Sequence, residues 1–319
     1  MTSVPSWPHD TSGAPPVVGE DVARLRVALD TVVPPRDEQN ILVATWNVRA
    51  FGELTPKWQS SPSDAPKRDW RSVACIAEVV SRFDVVALQE VRRSPSALRF
   101  LLQLLGPHWR AIASDVTEGD PGNSERLAFV YDSTRLQPAG LVGEIVLPGT
   151  LGGQGQFART PYVAGFTRGD VEFVLTTVHV LWGENEQARL PEISSFARWM
   201  REWADRPMDW NQNLLVLGDF NLDRVGDPLF EAFVSTGLFP PAELNNVPRT
   251  VFEDDGEHHF YDQIAWFSDP SGASLLDSMT YSGRGGSFDF VPHAFQELSL
   301  TETTWRMSDH YPLWVEFRT

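Results

Sequence analysis

From Ile41 onward, short apolar runs of strand length alternate with amphipathic stretches at helical spacing. This alternation constrains the fold more than any other feature, because strands separated by helices build sheets that the helices then cover. Strands are predicted over 41–48, 84–91, 127–131, 162–168, 171–180, 214–220, 261–267, 274–281 and 313–318. Helices are predicted over 68–83, 94–105, 187–203 and 227–236. The first places Trp70, Val73, Ile76, Ala77 and Val80 on one face; the third repeats Leu190, Ile193, Phe196, Ala197, Met200 and Trp203. Ser94 and Asp227 read as N-caps, and Gly106 and Gly237 follow the last helical turns. Gly169-Asp170 joins two strands as a hairpin. Two packed sheets flanked by helices, within one unit over 40–319, accommodate this pattern.

Residues 1–39 break it. Pro5, Pro8, Pro15, Pro16, Pro34 and Pro35 interrupt regular structure, so this segment is expected to be a Pro-rich, peripheral N-terminal extension. Within it only 21–32 can form a short helix, with Val22, Leu25, Leu29 and Val32 on one face. Residues 1–18 have neither a basic nor an apolar leader pattern, and Cys75 is the single cysteine. A cytoplasmic protein is the expectation. The net charge of -17 argues against a broad basic groove that binds nucleic acid by charge alone. It leaves a nuclease open, because a carboxylate cluster compensated by cations adds negative charge. The twelve Trp are expected mostly in the core.

The chemistry sits where strands end. Leu214-Leu215-Val216-Leu217 runs into Gly218-Asp219-Phe220-Asn221, which places a carboxylate and a carboxamide at a rigid strand exit. The first strand carries Asn47, which either caps a turn or orients a ligand. The second ends in Gln89-Glu90-Val91-Arg92; Glu90 after an apolar run needs a cation or a salt bridge to Arg49 or Arg92. His179 lies near the end of another strand, and Glu125 could orient it. Asp262 opens a strand, and Ser308-Asp309-His310 precedes the last one. This set is rich in oxygen donors and free of cysteine, which favours Mg2+, Mn2+ or Ca2+ over zinc. Two histidines with carboxylate partners suit proton transfer on both sides of a displacement. No G-x-S-x-G elbow is present, and the glycine-rich stretch 149–155 lacks a Lys-Ser/Thr pair and a following helix. That stretch and residues 282–286 read as mobile loops, with Arg284 either substrate-facing or part of a hairpin. Trp182 either stacks on a base or packs. His258-His259 after Glu253-Asp254-Asp255 could bind a cation or lie in a solvated loop.

The motifs Thr-Trp-Asn-Val-Arg-Ala-Phe-Gly (45–52), Leu-Gln-Glu-Val-Arg (88–92), Val-His (178–179), Gly-Asp-Phe-Asn (218–221), Tyr-Asp-Gln-Ile (261–264) and Ser-Asp-His-Tyr-Pro (308–312) resemble, in order and spacing, those of the endonuclease/exonuclease/phosphatase superfamily. They look most like its deoxyribonuclease I branch. The resemblance implies a four-layered α/β sandwich and metal-dependent hydrolysis of a phosphate ester, with Mg2+ or alternatively Mn2+ or Ca2+. It implies Glu90 as principal metal ligand with Asn47 and Asp309 nearby. Asp219 and Asn221 would hold the phosphate and the attacking water or a second cation. His310 oriented by Asp262, and His179 oriented by Glu125, would be base and acid, in either assignment. Arg49 and Arg92 match positions that contact the nucleic-acid backbone. His179 is similar to the deoxyribonuclease I pattern, whereas abasic-site endonucleases usually carry Tyr there. Phe260-Tyr261-Asp262-Gln263 departs from the Trp-Cys-Asp-Arg of inositol-phosphate phosphatases. A DNA endonuclease is therefore expected, with a phosphoesterase for a small molecule or lipid headgroup as the alternative. An inactive scaffold is disfavoured because no motif residue is missing.

Overall fold

The computed structural model describes residues 7–118, 122–147, 156–252, 259–269 and 271–319. The loop 149–155, the acidic run Glu253-Asp254-Asp255 and His258 lie outside the described residues. Among the described residues, twelve strands and six α-helices follow in order. They are α1 (Pro16–Val32), β1 (Asn40–Phe51), α2 (Trp70–Val80), β2 (Val85–Arg92), α3 (Ser96–Leu105), β3 (Trp109–Ala113), β4 (Glu125–Asp132), β5 (Gln137–Glu144), β6 (Tyr162–Arg168), β7 (Val171–His179), α4 (Glu186–Ala204), β8 (Leu214–Leu222), α5 (Pro228–Val234), β9 (Leu238–Phe239), β10 (Phe260–Phe267), β11 (Thr280–Ser287), α6 (Leu300–Arg306) and β12 (Leu313–Arg318). One sheet has the order β11-β12-β1-β2-β4-β3 and the other β5-β6-β7-β8-β10-β9. The expected four-layered α/β sandwich is the observed architecture.

Each sheet has one parallel pair, β1/β2 and β7/β8, among antiparallel neighbours. Parallel neighbours end on the same side, so each sheet presents two strand exits side by side. The antiparallel neighbours β12, β4 and β10 begin there. Side chains alternate across each strand. On β1, Ile41 and Val43 enter the core between the sheets, while Leu42, Ala44 and Trp46 enter a second core under α1, α2 and α3. On β8, Leu215 and Leu217 face inward, and Val216 and Phe220 pack toward α4 and α5. Asn47 and Asp219 therefore continue the inward face of their strands.

Three expectations are corrected. The N-terminal helix is longer, because Pro16 suits its first turn. Its buried face is Val18, Asp21, Leu25 and Leu29, and Val32 is exposed. Peripheral does not describe its packing: Leu25 and Leu29 are in the core, and Arg71 of α2 donates to buried Asp21 at 2.7 Å. Next, the strand expected over 274–281 lies at Thr280–Ser287. The glycines read as a mobile loop form an edge strand on β12, where few side chains need packing and the register shifts between Tyr281 and Gly285. Arg284 accordingly faces Glu316 at 3.7 Å. Finally, Ser94 does not cap α3; Pro95 holds the N-cap position and Ser94 Oγ pairs with Ser96 Oγ instead. Asp227 caps α5 as expected, accepting from Phe230 N at 2.7 Å.

Candidate active site

Below the strand exits, the inner face turns from apolar to polar. Gln89 Nε2 donates to Thr45 Oγ1 at 3.0 Å and to Thr177 Oγ1 at 2.9 Å, which ties the two sheets together. One pleat further along, Asn47, His179, Asp219 and Asp262 meet. Asp219 is central. Its Oδ2 accepts from Asn47 Nδ2 at 2.9 Å, and its Oδ1 accepts from the Asn221 N–H at 3.0 Å. His179 Nε2 and His310 Nε2 lie 3.6 and 3.9 Å from Asp219 Oδ2. On their far sides, His310 Nδ1 meets Asp262 Oδ2 at 2.6 Å, and His179 Nδ1 lies 2.9 Å from Glu125 Oε2. The first is a short, charge-assisted hydrogen bond. The second is a close contact without hydrogen-bond alignment.

Backbone geometry sets these positions. Gly218, at φ +138°, lets β8 approach β7 so closely that a Cβ would sit 2.2 Å from the Val178 carbonyl oxygen. No other residue fits between Val178 and Asp219. Asn221 has φ +50°, a left-handed conformation Asn tolerates, and its Nδ2 donates to the Val180 carbonyl at 2.7 Å. Glu90 also has positive φ, +59°, where β2 slips register against β4 between Leu88 and Val91. Such strain in a carboxylate-bearing residue is characteristic of functional sites.

Electrostatics separates the acids. Burial opposes the charge on Glu90, but His179, the Ala50 N–H at 2.8 Å and Arg92 outweigh it and hold the carboxyl down to about 2. Burial pushes Asp262 up to about 6, against the pull of His310. Burial opposes charge on His310, yet Asp262, Asp219 and Asp309 overcome it and push the imidazole up to about 10. Asp262 and Asp219 lie against its two ring nitrogens at 2.6 and 3.9 Å.

The sequence-predicted residues thus fall into an inner group and a rim. Asn47, Glu125, His179, Asp219, Asn221, Asp262 and His310 form the inner group, with Glu90 beside it. Asp309 turns to Arg49, with Oδ2 3.2 Å from Nη1, and Arg49 seats its guanidinium 3.7 Å over Trp305. Arg92 spans Glu90 and Glu125, each at 3.2 Å. Among the described residues, Asp219, Asp262 and His310 form the set of acidic and histidine side chains close enough to share one ion. Because Asp262 is committed to His310, we read that trio as a proton-holding unit. Sequence reasoning missed three supports. Arg159 lies 2.6 Å from Glu125 Oε2, Arg189 donates to the Asn221 carbonyl at 2.6 Å, and Gln89 ties the sheets together. Only Gln89 carries a local signal, its inward parity on β2; the arginines arrive from distant elements.

The Endonuclease/Exonuclease/phosphatase family model matches residues 44–310. The chain belongs to that family. The family name and that of the relative described next support a phosphoester hydrolase. A deoxyribonuclease from Thioalkalivibrio sp. (strain K90mix) is 27% identical over 304 residues, which cover 91% of this chain and 74% of that protein. Among solved structures, an endonuclease/exonuclease/phosphatase family protein from Bacteroides thetaiotaomicron aligns with TM-score 0.56 at 18% identity, over 88% of this chain and 98% of that one. A mannosyl-6-phosphatase from B. thetaiotaomicron VPI-5482 aligns with TM-score 0.55 at 18% identity, over 87% and 99%. D. rerio TDP2 complexed with single strand DNA product aligns with TM-score 0.56 at 13% identity, over 88% and 99%. These likenesses show the fold of the family member. Among the described residues, no helix is long and apolar enough to cross a membrane.

Proposed function

We propose that this family member is a divalent-cation-dependent phosphodiesterase that cuts the DNA backbone internally. The observation that carries the reading is the pair of carboxylate-backed histidines whose Nε2 atoms both approach Asp219 Oδ2, 3.6 and 3.9 Å away. A reacting phosphate between them meets a proton carrier on each side, which is the arrangement an in-line displacement needs. His310, held protonated by its carboxylates, suits donation of a proton to a phosphoryl or leaving oxygen. His179, placed by Glu125 and Arg159, takes the other side. Asp219 and Asn221 position the phosphate and the attacking water, with Asn47 fixing Asp219.

A hard cation fits the residues present. Asn47 Oδ1 and Asp262 Oδ1 are buried without hydrogen-bond partners, and both are oxygen ligands of the kind hard cations take. Glu90, with Asn47 Oδ1 and with Asp309 at the rim, would hold Mg2+, or Mn2+ or Ca2+ in its place. Such an ion supplies charge stabilisation for the phosphoryl oxygens. Arg49 and Arg92 would meet the flanking backbone phosphates. The 27% identical relative named as a deoxyribonuclease supports DNA as substrate. No site residue precedes Asn47, so we also assign the chemistry to residues 40–319.

Supercoiled plasmid incubated with Mg2+ or Mn2+ should be nicked, and EDTA should stop it. A small phosphate ester is the second reading, favoured by the net charge of -17. Intact plasmid beside hydrolysis of a sugar phosphate or lipid headgroup would replace the first reading with the second.

A further inference from the structure

We propose that Trp182 is a stacking platform for an unpaired nucleobase next to the scissile phosphate. This rests on the nuclease reading above and deepens it. Trp182 follows β7 by three residues and is 55% exposed, an unusual cost for the largest apolar side chain. It is nevertheless held. The Arg189 guanidinium lies 5.1 Å from its ring centroid, and Arg189 itself is clamped by Asp223 at 2.9 and 3.1 Å and by the Asn221 carbonyl. The indole and the Tyr261 ring stand nearly perpendicular, at 84° with centroids 5.3 Å apart. Gly183, at φ +65°, turns the chain directly after it, where a Cβ would lie 2.9 Å from Ala188 Cβ. The indole is thus held by a fixed cation and by the Tyr261 ring, while more than half of it is left to solvent.

The platform is continuous with the site. Tyr261 adjoins Asp262 in sequence, and its ring lies 5.9 Å from that of His310. Two ring-to-ring steps therefore lead from the proton-carrying histidine to the exposed indole. Arg189 binds the carbonyl of Asn221, so the support of the platform also fixes a residue that positions the phosphate. A tryptophan displayed rigidly beside a phosphate site offers what a base needs: a flat face with no hydrogen-bond demand and tolerance of any base. Paired bases hide their faces inside the duplex stack, so this platform takes single-stranded or locally opened DNA.

The test compares two oligomers of equal length with Mg2+. One is a single-stranded DNA oligonucleotide, and the other is the same deoxyribose-phosphate backbone built from baseless tetrahydrofuran residues. Trp182→Ala should raise KM on the oligonucleotide about tenfold more than on the baseless oligomer, the scale of one lost base–aromatic stack. Trp182→Phe should recover most of that difference. The wild type should cut the single strand faster than the matching duplex. An equal KM change on both oligomers would make Trp182 a structural residue and overturn the inference. If the wild type cuts neither oligomer yet hydrolyses bis(p-nitrophenyl) phosphate, the nuclease reading itself fails, and that result is separable from the first.

Discussion

The two ends of the sandwich hold buried carboxylates on opposite terms. At the end where β1 and β2 begin, fully buried Asp84 is surplus in nothing. Arg135 Nε lies 2.6 Å from it, Arg168 and Arg36 lie at 3.7 and 3.8 Å, and the Leu42 N–H donates at 2.8 Å. At the end where the same strands finish, Asp219, Asp262 and Glu90 crowd around two imidazoles, and Asn47 Oδ1 and Asp262 Oδ1 lack partners. The first end is a closed ionic lock. The second is incomplete by itself, which is what the proposed binding of a cation and a phosphate would require. The strands are the same; only the matching of charge at their two ends distinguishes scaffold from site.

The largest test of that contrast is Asp84→Asn. Stranding several arginines without their buried carboxylate should cost about 3 kcal/mol of stability, measured by urea unfolding. Asp219→Asn should change stability by less than about 1 kcal/mol in EDTA, because it removes one of several crowded acids and keeps the shape. Equal losses at both ends would erase the distinction. Next in size is activity. Asp219→Ala and His310→Ala should each lower phosphoester turnover by on the order of 10², the scale of one preorganised group. Unchanged turnover in both would move the reaction elsewhere.

The third test asks whether the incomplete end binds a cation. Free Mg2+ at about ten times its dissociation constant should stabilise the wild type by about 1.4 kcal/mol in unfolding experiments. Glu90→Gln should lose most of that gain, and Asp84→Asn should keep it. A shift that survives in Glu90→Gln would assign the ion to other ligands.

The contrast between the ends also explains what was legible in the sequence. Asn47, Asp219 and His179 could be found because they continue the inward parity of apolar strands, so their direction follows from a period of two. Asp262 and His310 were legible as polar residues at strand starts. The edges were not. β5 carries Pro138, Gly140 and Gly143 on a largely exposed strand, and β11 is built on Tyr-Ser-Gly-Arg-Gly-Gly. Edge strands take their pairing from a neighbour and need no apolar face, so the sequence gives no alternation to read. The helix α6 was missed although Ser299 and Glu302 form a capping box. Arg159 and Arg189 reach the site from elements far away in sequence, and their partners emerge only in three dimensions. The resemblance to a family supplied the roles; the parity of the strands supplied the directions.

The contrast also predicts a pH dependence of the cation-free protein. His310 is held up to about 10 from an ordinary value near 6.5. Its pairing therefore stabilises the fold in full below pH 6.5, and that contribution is lost as pH rises through about 10. Asp262 has the same sign over a lower window, since its charging is delayed from 3.8 to about 6 and the fold loses stability as pH rises across it. His310→Gln should flatten the alkaline limb of a stability-against-pH curve recorded in EDTA, and Arg135→Gln should lower the curve without changing that limb. A limb that persists in His310→Gln would place the titrating group outside the site, and the two ends would no longer differ in the way their charges are matched.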